Sequence, residues 1–180
     1  MNRLISVTSK QDIPKAYQNT PIGLLTEYQN LNRKFETYSN AQLLVGMCMD
    51  NRNHLLVPNN FTYIIRSGGA NLRQSEFKVS FAVSVGGVKH IALIAHNSCG
   101  MVNLISKKSQ FIEKLSVNAG WTVEQAEEHF NNYAPMFEIS NEIDFTLRET
   151  VRLRLRYPKI TIAPLYYKVE DNHLYFIKEE

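Results

Sequence analysis

Two cysteines and one histidine have the residue types and the spacing of a metal-binding set. His96-Asn-Ser-Cys99 places two candidate ligands three residues apart, and Cys48 could add a third ligand from the end of a neighbouring strand. Zinc prefers thiolate and imidazole ligands in proteins. Because three protein ligands leave the fourth coordination position for water, this set is of the catalytic type.

A carboxylate and a guanidinium group follow Cys48 closely and could assist such a metal. Zinc lowers the pKa of a bound water toward neutrality, so that hydroxide exists at neutral pH. Asp50 could accept a hydrogen bond from this hydroxide and aim its lone pair at an electrophile, and Arg52 could hold Asp50 ionised through a bidentate pair. Three glycines, which carry no Cβ, would let a small substrate approach the backbone closely. They are Gly68, Gly69 and Gly100.

Each of these residues also has an ordinary structural interpretation. A buried cysteine is usually inert packing, and two cysteines can coexist in a chain without sharing a metal. Asp50 and Arg52 could form a surface ion pair, and Gly68-Gly69 could be a simple turn. His54 follows Arg52 closely and could relay protons. The other histidines, apart from His96, are interpreted as solvated or core residues.

Three apolar runs of strand length could position these groups. They are residues 41–49 (AQLLVGMCM), residues 61–65 and residues 90–95, and each ends in polar or glycine-rich residues. Nearly unbroken apolar runs are typical of parallel strands that are buried on both faces. Because ligands gather beyond the carboxyl ends of the strands in an open α/β sheet, the candidate residues could converge at one edge of the sheet.

The remaining elements complete an α/β pattern. Helices are predicted at residues 72–85, 102–116, 122–133 and 141–156, the third opening with a capping box from Thr122 to Gln125. Residues 159–169 and 173–178 predict two strands joined by a turn. The predicted fold is an open, mostly parallel sheet of about four strands with flanking helices and a C-terminal antiparallel edge hairpin.

Composition and charge exclude several classes of protein. The chain has 180 residues, enough for one core, and its 20 basic against 17 acidic side chains are not gathered into a run that would indicate a nucleic-acid partner. No apolar stretch has the length of a signal peptide or a membrane helix. Two cysteines are too few for a disulfide scaffold, so we expect a soluble cytoplasmic protein.

The first 40 residues differ from the rest of the chain. They are polar and interrupted by Pro14, Pro21 and Gly23, and residues 26–39 offer few apolar anchors for a helix of their own. We therefore expect residues 1–40 to form an arm that lies on another surface, and residues 41–180 to form a single zinc-binding catalytic domain.

Three segments in this order resemble the hallmark segments of β-class carbonic anhydrases, especially the compact prokaryotic branch. They are GMCMDNR, YIIRSGGANL and GGVKHIALIAHNSCGM. Within them, Cys48-Met-Asp50-Asn-Arg52 is similar to the family's Cys-x-Asp-x-Arg, and His96-Asn-Ser-Cys99-Gly100 is similar to its His-x-x-Cys-Gly.

The resemblance implies a zinc lyase that hydrates carbon dioxide reversibly to bicarbonate. It places one zinc ion per subunit on Cys48, His96 and Cys99, and it makes Asp50 and Arg52 a catalytic dyad. It also implies a homodimer or larger homo-oligomer in which an N-terminal helical arm packs on the neighbouring subunit.

Two departures from the family pattern touch the substrate pocket. Residues 53–65 form a shorter crossover than usual, so its helix is expected to be truncated, and RSGGAN replaces a more usual Arg-Asn-Ala-Gly-Asn. Three alternatives therefore stay open. The chain could hydrolyse carbonyl sulfide or carbon disulfide, it could be a catalytically weak zinc-stabilised interaction protein, or Cys99 and His96 could perform cysteine-nucleophile hydrolysis without zinc.

Overall fold

The computed structural model describes residues 3–179, so residues 1, 2 and 180 of the predicted domains lie outside the described residues. The described part contains one six-stranded sheet and five α-helices. The strands are β1 (Leu4–Ile5), β2 (Leu43–Cys48), β3 (Thr62–Ser67), β4 (His90–His96), β5 (Thr161–Lys168) and β6 (His173–Ile177). The helices are α1 (Pro21–Asn30), α2 (Glu76–Ser84), α3 (Lys108–Ala119), α4 (Val123–Phe137) and α5 (Glu142–Arg156).

The sheet has the order β1–β6–β5–β4–β2–β3. Strands β2, β3, β4 and β5 are parallel, whereas the β5–β6 and β6–β1 pairs are antiparallel. This confirms the α/β class and the mostly parallel sheet with an antiparallel edge. The predicted count of about four strands is wrong, because the described sheet has six. Strand β1 has only two residues, which are too few to produce a periodic sequence pattern. It pairs with the free side of β6, so β1 and not the β5–β6 hairpin forms this edge of the sheet.

Both faces of the sheet are covered, which explains why every residue of β2 is buried. Successive side chains of a strand point to opposite faces, so Leu44 and Val45 enter two different cores. Leu44 packs in a cluster with Val79 of α2 and Leu153 of α5. Val45 packs on the other face, in a cluster that includes Leu25 of α1.

Helix α1 lies on the sheet of its own chain. Thr20 accepts a hydrogen bond from the backbone N–H of Gly23 at the start of the helix, and Pro21 occupies the first turn, where a missing N–H is tolerated. Ile22 and Tyr28 are fully buried against the sheet. Placement of an arm on a neighbouring subunit, and the division of the chain at residue 40, stay predictions.

The four predicted helices correspond to α2, α3, α4 and α5, with 3-10 turns preceding α2 and α3. The capping box is confirmed: Thr122 Oγ1 accepts from the Gln125 N–H at 3.2 Å, and Gln125 Oε1 accepts from the Thr122 N–H at 3.1 Å. The prediction of a truncated crossover helix after Arg52 is wrong, because residues 49–61 contain turns and no helix. No described helix combines the length and the apolar character that crossing a membrane requires.

Candidate metal centre

The candidate ligands lie where two neighbouring parallel strands end. Strand β2 ends at Cys48 and β4 ends at His96, and the two strands pair in parallel, with Met47 opposite Ile94. Because parallel strands end at the same edge of a sheet, these two side chains meet there. Ser98 adopts a left-handed conformation (φ 55°), and this turn precedes Cys99.

Cys48, His96 and Cys99 form a compact, buried group that could hold a metal ion. Their ligand atoms all lie within 4.8 Å of one another, and the two sulfur atoms are 3.9 Å apart. Each of the three residues exposes 4 % of its surface or less. The structure therefore brings together the three residues that the sequence analysis assigned to zinc.

The imidazole of His96 is oriented with one nitrogen available. Nδ1 lies 3.0 Å from the backbone oxygen of Asn97, a contact in which Nδ1–H donates. Nε2 is buried and has no hydrogen-bond partner among the described residues. A buried ring nitrogen without a partner is unfavourable unless something accepts its lone pair, and metal-binding histidines characteristically donate their other ring N–H to a backbone carbonyl. The residues present thus fit a metal such as zinc.

The two thiols and His96 perturb one another's protonation. The Cys99 thiol beside Cys48 lowers the pKa of Cys48, and the same contact raises the pKa of Cys99. The backbone N–H of Gly69 donates to Cys48 Sγ at 3.4 Å and also favours its thiolate. Burial opposes the charged form of His96, but the adjacent Cys48 thiolate outweighs burial and raises the pKa of His96. The group therefore already favours one thiolate before any metal binds.

Asp50 and Arg52 form a bidentate pair beside this group. Arg52 Nε donates to Asp50 Oδ1 at 2.9 Å, and Arg52 Nη2 donates to Asp50 Oδ2 at 2.7 Å. Nη2 also donates to the backbone oxygen of Ser98 at 3.1 Å, which connects the pair to the loop that carries Cys99. The guanidinium group holds the pKa of Asp50 well below its usual range, so this carboxylate stays ionised.

The glycines named from the sequence occupy three different environments. A Cβ at Gly68 would lie 2.9 Å from Met101 Sδ. Gly69 has φ +61°, and a Cβ there would lie 3.0 Å from Ile139 Cδ1, so both conformation and space favour glycine. A Cβ at Gly100 would meet nothing within 4 Å. The predicted contact of these glycines with a substrate stays a prediction.

Two positioning residues were missed by the sequence analysis. Arg66 Nη1 donates to the backbone oxygen of Cys48 at 3.1 Å, and Nη2 donates to that of Asn53 at 2.9 Å, so Arg66 braces the turn that carries Asp50. Glu142 Oε1 accepts from the Cys99 N–H at 3.3 Å. Arg66 pairs in register with Met47, next to Cys48, which is a signal that could have identified it. Glu142 lies far along the chain and offers no such signal.

Comparison with known proteins identifies the fold. No protein-family model matches the chain, and no curated protein matches it significantly. Among solved structures, the chain is similar to β-carbonic anhydrase isoform I from Trichomonas vaginalis, at a TM-score of 0.64 and 17 % identity over 83 % of this chain and 91 % of that one. It is also similar to a carbonic anhydrase from Glaciozyma antarctica, at a TM-score of 0.59 and 18 % identity over 90 % and 98 %.

A third similar structure is the apo form of a carbon disulfide hydrolase, at a TM-score of 0.56 and 21 % identity over 78 % of this chain and 80 % of that one. These likenesses show that the chain has the β-carbonic anhydrase fold, as its three sequence segments predict. Assignment to the compact prokaryotic branch stays a prediction.

Proposed function

We propose that this protein, which has the β-carbonic anhydrase fold, is a zinc-dependent carbonate dehydratase that converts carbon dioxide and water reversibly into bicarbonate and a proton. The observation that carries the proposal is the unpartnered, buried Nε2 of His96 inside the group formed with Cys48 and Cys99. The fold and the order of the sequence segments support it.

One zinc ion would be held by the sulfur atoms of Cys48 and Cys99 and by Nε2 of His96. When bound, the ion would act as a Lewis acid that lowers the pKa of a coordinated water and so makes its oxygen a better nucleophile. Two thiolates and an imidazole are the donor set that zinc prefers, and three ligands leave one coordination position open.

The remaining site residues orient the reactants. The ionised Asp50 carboxylate accepts a hydrogen bond from the attacking oxygen and keeps a lone pair of that oxygen directed at the carbon of carbon dioxide. Arg52 holds Asp50 in one orientation, because its planar fork contacts both carboxylate oxygens. Arg66 and Glu142 are positioning residues, since they bond to the backbone of the two ligand-bearing segments. The released proton passes to solvent.

A second candidate function is hydrolysis of carbonyl sulfide or carbon disulfide at the same site. The likeness in fold to an apo carbon disulfide hydrolase supports it. The helix-free segment at residues 49–61 also departs from the crossover that the family resemblance predicts, next to Asp50 and Arg52. Both substrates are linear and have an electrophilic carbon like that of carbon dioxide, so the same residues could act on them.

A substrate comparison on zinc-loaded protein tests the assignment. Rates with carbon dioxide, carbonyl sulfide and carbon disulfide are measured on one preparation of known zinc content. Carbonate dehydratase function predicts the highest kcat/KM with carbon dioxide. A higher kcat/KM with a sulfur compound would favour the second candidate, and zinc-loaded protein inactive on all three would favour a zinc-stabilised interaction protein.

We also propose a cytoplasmic homodimer or larger homo-oligomer. Strand β3 lies at the end of the described sheet order, and it exposes Tyr63 and Ile64. Phe77 of α2, nearby, is 82 % exposed. An apolar sheet edge of this kind is normally covered, here by a second copy of the chain. Light scattering that gives the mass of a monomer would contradict the oligomer.

The cytoplasmic part of this proposal is supported by the two cysteines, which are free and buried, as suits a reducing compartment.

A further inference from the structure

The side-chain amide of Asn97 bonds to two groups of the β5–β6 hairpin. Asn97 directly follows the candidate ligand His96, and β5 pairs with β4 so that Tyr167 lies opposite His96. Beyond that pair, the backbone N–H of Val169 donates to Asn97 Oδ1 at 2.9 Å, and Asn97 Nδ2 donates to Glu170 Oε1 at 2.5 Å. Because an amide N–H only donates and a carboxylate only accepts, the two partners fix the orientation of the Asn97 amide.

The backbone oxygen of the same residue is the acceptor for the imidazole of His96. His96 Nδ1 lies 3.0 Å from the Asn97 oxygen, while Nε2 is buried without a hydrogen-bond partner among the described residues. A histidine that binds a metal keeps its ring orientation through the hydrogen bond of its other nitrogen. The orientation of the Asn97 peptide group therefore sets the orientation of the His96 ring.

The loop that follows β4 needs an anchor at its first residues. Ser98 has a left-handed backbone conformation (φ 55°), which a residue with a Cβ adopts at a cost in free energy. The second half of the loop is held by Arg52, which donates to the Ser98 oxygen, and by Glu142, which accepts from the Cys99 N–H. The two hydrogen bonds of the Asn97 side chain hold the first half.

The hairpin is a firm support because its base is buried. Tyr167 is fully buried, and its hydroxyl donates to Asn172 Oδ1 at 2.7 Å across the turn. Gln29 of α1 donates from Nε2 to the backbone oxygen of Asn172 at 2.7 Å. Val169 packs against the core on that face of the sheet. The turn that bonds to Asn97 is thus fastened both to the core and to α1.

We propose that Asn97 is a positioning residue for the metal centre. Its amide ties the loop that carries two candidate ligands to the β5–β6 hairpin, and it thereby holds the His96 ring in the orientation that binds the metal. This inference rests on the proposed function and deepens it, since it assigns a supporting residue to the same site. The rival interpretation is that Asn97 only stabilises the turn. The two interpretations differ in zinc affinity, which is measured without any substrate.

Asn97→Asp separates positioning from electrostatics by the sign of its effect. The substitution keeps an acceptor for the Val169 N–H, but it places a second carboxylate against Glu170, and the two repel each other. It also adds a negative charge close to the candidate ligands, which by itself would attract a zinc ion more strongly. Weaker zinc binding by Asn97→Asp would therefore come from lost orientation and not from the change of charge.

Glu170→Gln supplies the rescue. The double variant Asn97→Asp/Glu170→Gln has the same total charge as the wild type. The introduced amide can donate to the introduced carboxylate, so the hydrogen bond is formed again with donor and acceptor exchanged. Position 170 is exposed, so the change introduces no clash in the core.

Asn30→Ala is the matched control for a general loss of stability. Asn30, at the end of α1, also bonds through its amide to the hairpin: the Leu174 N–H donates to Oδ1 at 2.9 Å, and Nδ2 donates to the Leu174 oxygen at 2.8 Å. Within the described chain, its side-chain hydrogen bonds reach Leu174 and Val7 and none of the ligand-bearing segments.

Zinc affinity is measured by competition with a chromophoric chelator, and ligand geometry by the absorption spectrum of the cobalt(II)-substituted protein. We expect Asn97→Asp to bind zinc about tenfold or more weakly and to shift the cobalt bands, because loss of an outer hydrogen-bond partner has effects of this size. The double variant should return to within about threefold of the wild type. Asn30→Ala should have the zinc affinity and cobalt spectrum of the wild type, although its metal-free form should melt at a lower temperature.

Wild-type zinc affinity in Asn97→Asp would overturn the positioning role, and so would a double variant that binds zinc no more tightly than the single one. An equal loss of affinity in Asn30→Ala would show that zinc binding follows general stability, which would also overturn the proposal.

If Asn97→Asp does not fold, Glu170→Ala and Asp171→Ala decide the question. Each removes one negative charge from the same turn, but only Glu170→Ala takes a partner from Asn97, since Asp171 accepts from His173 and Tyr175. A loss of zinc affinity of about threefold or more, confined to Glu170→Ala, supports the proposal, and equal affinities overturn it.

The same samples distinguish this inference from the proposed function. A wild type that binds zinc, weakens in Asn97→Asp and hydrates no carbon dioxide would refute the proposed function and leave the role of Asn97 established. Rapid hydration with unchanged zinc affinity in Asn97→Asp would do the reverse, and a wild type that binds no zinc would overturn both.

Discussion

The Arg52 guanidinium contacts both oxygens of the Asp50 carboxylate, at 2.9 and 2.7 Å, and also reaches the backbone of Ser98. One side chain thereby fixes the carboxylate that follows Cys48 and joins it to the loop before Cys99. An ordinary surface ion pair has no such third contact, and it contributes little to stability. The geometry favours a positioning role for Arg52 over a purely structural one.

Asp50→Ala should retain bound zinc and lose most of the turnover. The substitution removes the proposed hydrogen-bond acceptor for the attacking oxygen but none of the three proposed metal ligands, so kcat should fall by about 100-fold or more. Zinc content and the initial rate of carbon dioxide hydration are measured on the same sample. Turnover equal to that of the wild type would eliminate the proposed role of Asp50.

Arg52→Lys tests whether the fork geometry matters beyond the charge. Lysine keeps the positive charge but cannot contact both carboxylate oxygens and the Ser98 carbonyl in the same plane. We expect kcat to fall by about tenfold or more, with zinc content unchanged. The reason is that lysine loses roughly one charge-assisted hydrogen bond to the Asp50 carboxylate and so orients it less well. If Arg52→Lys has the same kcat as the wild type, charge alone is sufficient and the positioning role is wrong.

Removal of zinc should lower the melting temperature. A ligand that binds only the folded state at 100 times its Kd stabilises it by about 2.7 kcal/mol, which corresponds to roughly 5–10 °C in a chain of this size. Differential scanning calorimetry of chelated and zinc-reloaded protein measures the difference. Cys48→Ser serves as the control that should no longer respond to zinc, and equal melting temperatures of the two wild-type samples would argue against a bound structural or catalytic metal.

Gly69→Ala should lower the free energy of unfolding by more than the strain of its left-handed backbone conformation alone explains. Gly69 and Gly120 both have positive φ, at +61° and +73°, but only at Gly69 would a Cβ approach another side chain, 3.0 Å from Ile139 Cδ1. Gly120→Ala is therefore the matched control and should cost about 1–2 kcal/mol of unfolding free energy from conformation alone. Urea unfolding should show a larger loss for Gly69→Ala, and equal losses would mean that Ile139 moves aside freely.

The proximity of Cys48 and His96 could be predicted because it depends on where their strands end. The apolar runs that end at Cys48 and near His96 identify two buried parallel strands, and the pairing of β2 with β4 brings their ends together. Spacing could not identify Glu142, whose contact with the Cys99 N–H depends on how α5 packs. It also could not identify strand β1, which has only two residues.

The surroundings of the candidate metal centre were harder to predict than the candidate ligands themselves. Helical periodicity identifies α4, but it does not say that Phe130 and Ala134 line a cavity shared with Met101. That placement depends on the tertiary hydrogen bonds of Ile139 and Asn71. The crossover after Arg52 was expected to keep a shortened helix, and residues 49–61 instead connect β2 to β3 through turns alone.

The most direct test of the central claim is stopped-flow hydration of carbon dioxide by the wild type and by His96→Gln, with zinc measured in every sample. We predict that the wild type binds zinc and that its rate rises in proportion to bound zinc, while His96→Gln loses both the metal and the activity. Wild-type protein fully loaded with zinc that hydrates carbon dioxide no faster than buffer, or a His96→Gln variant as active as the wild type, would contradict the account.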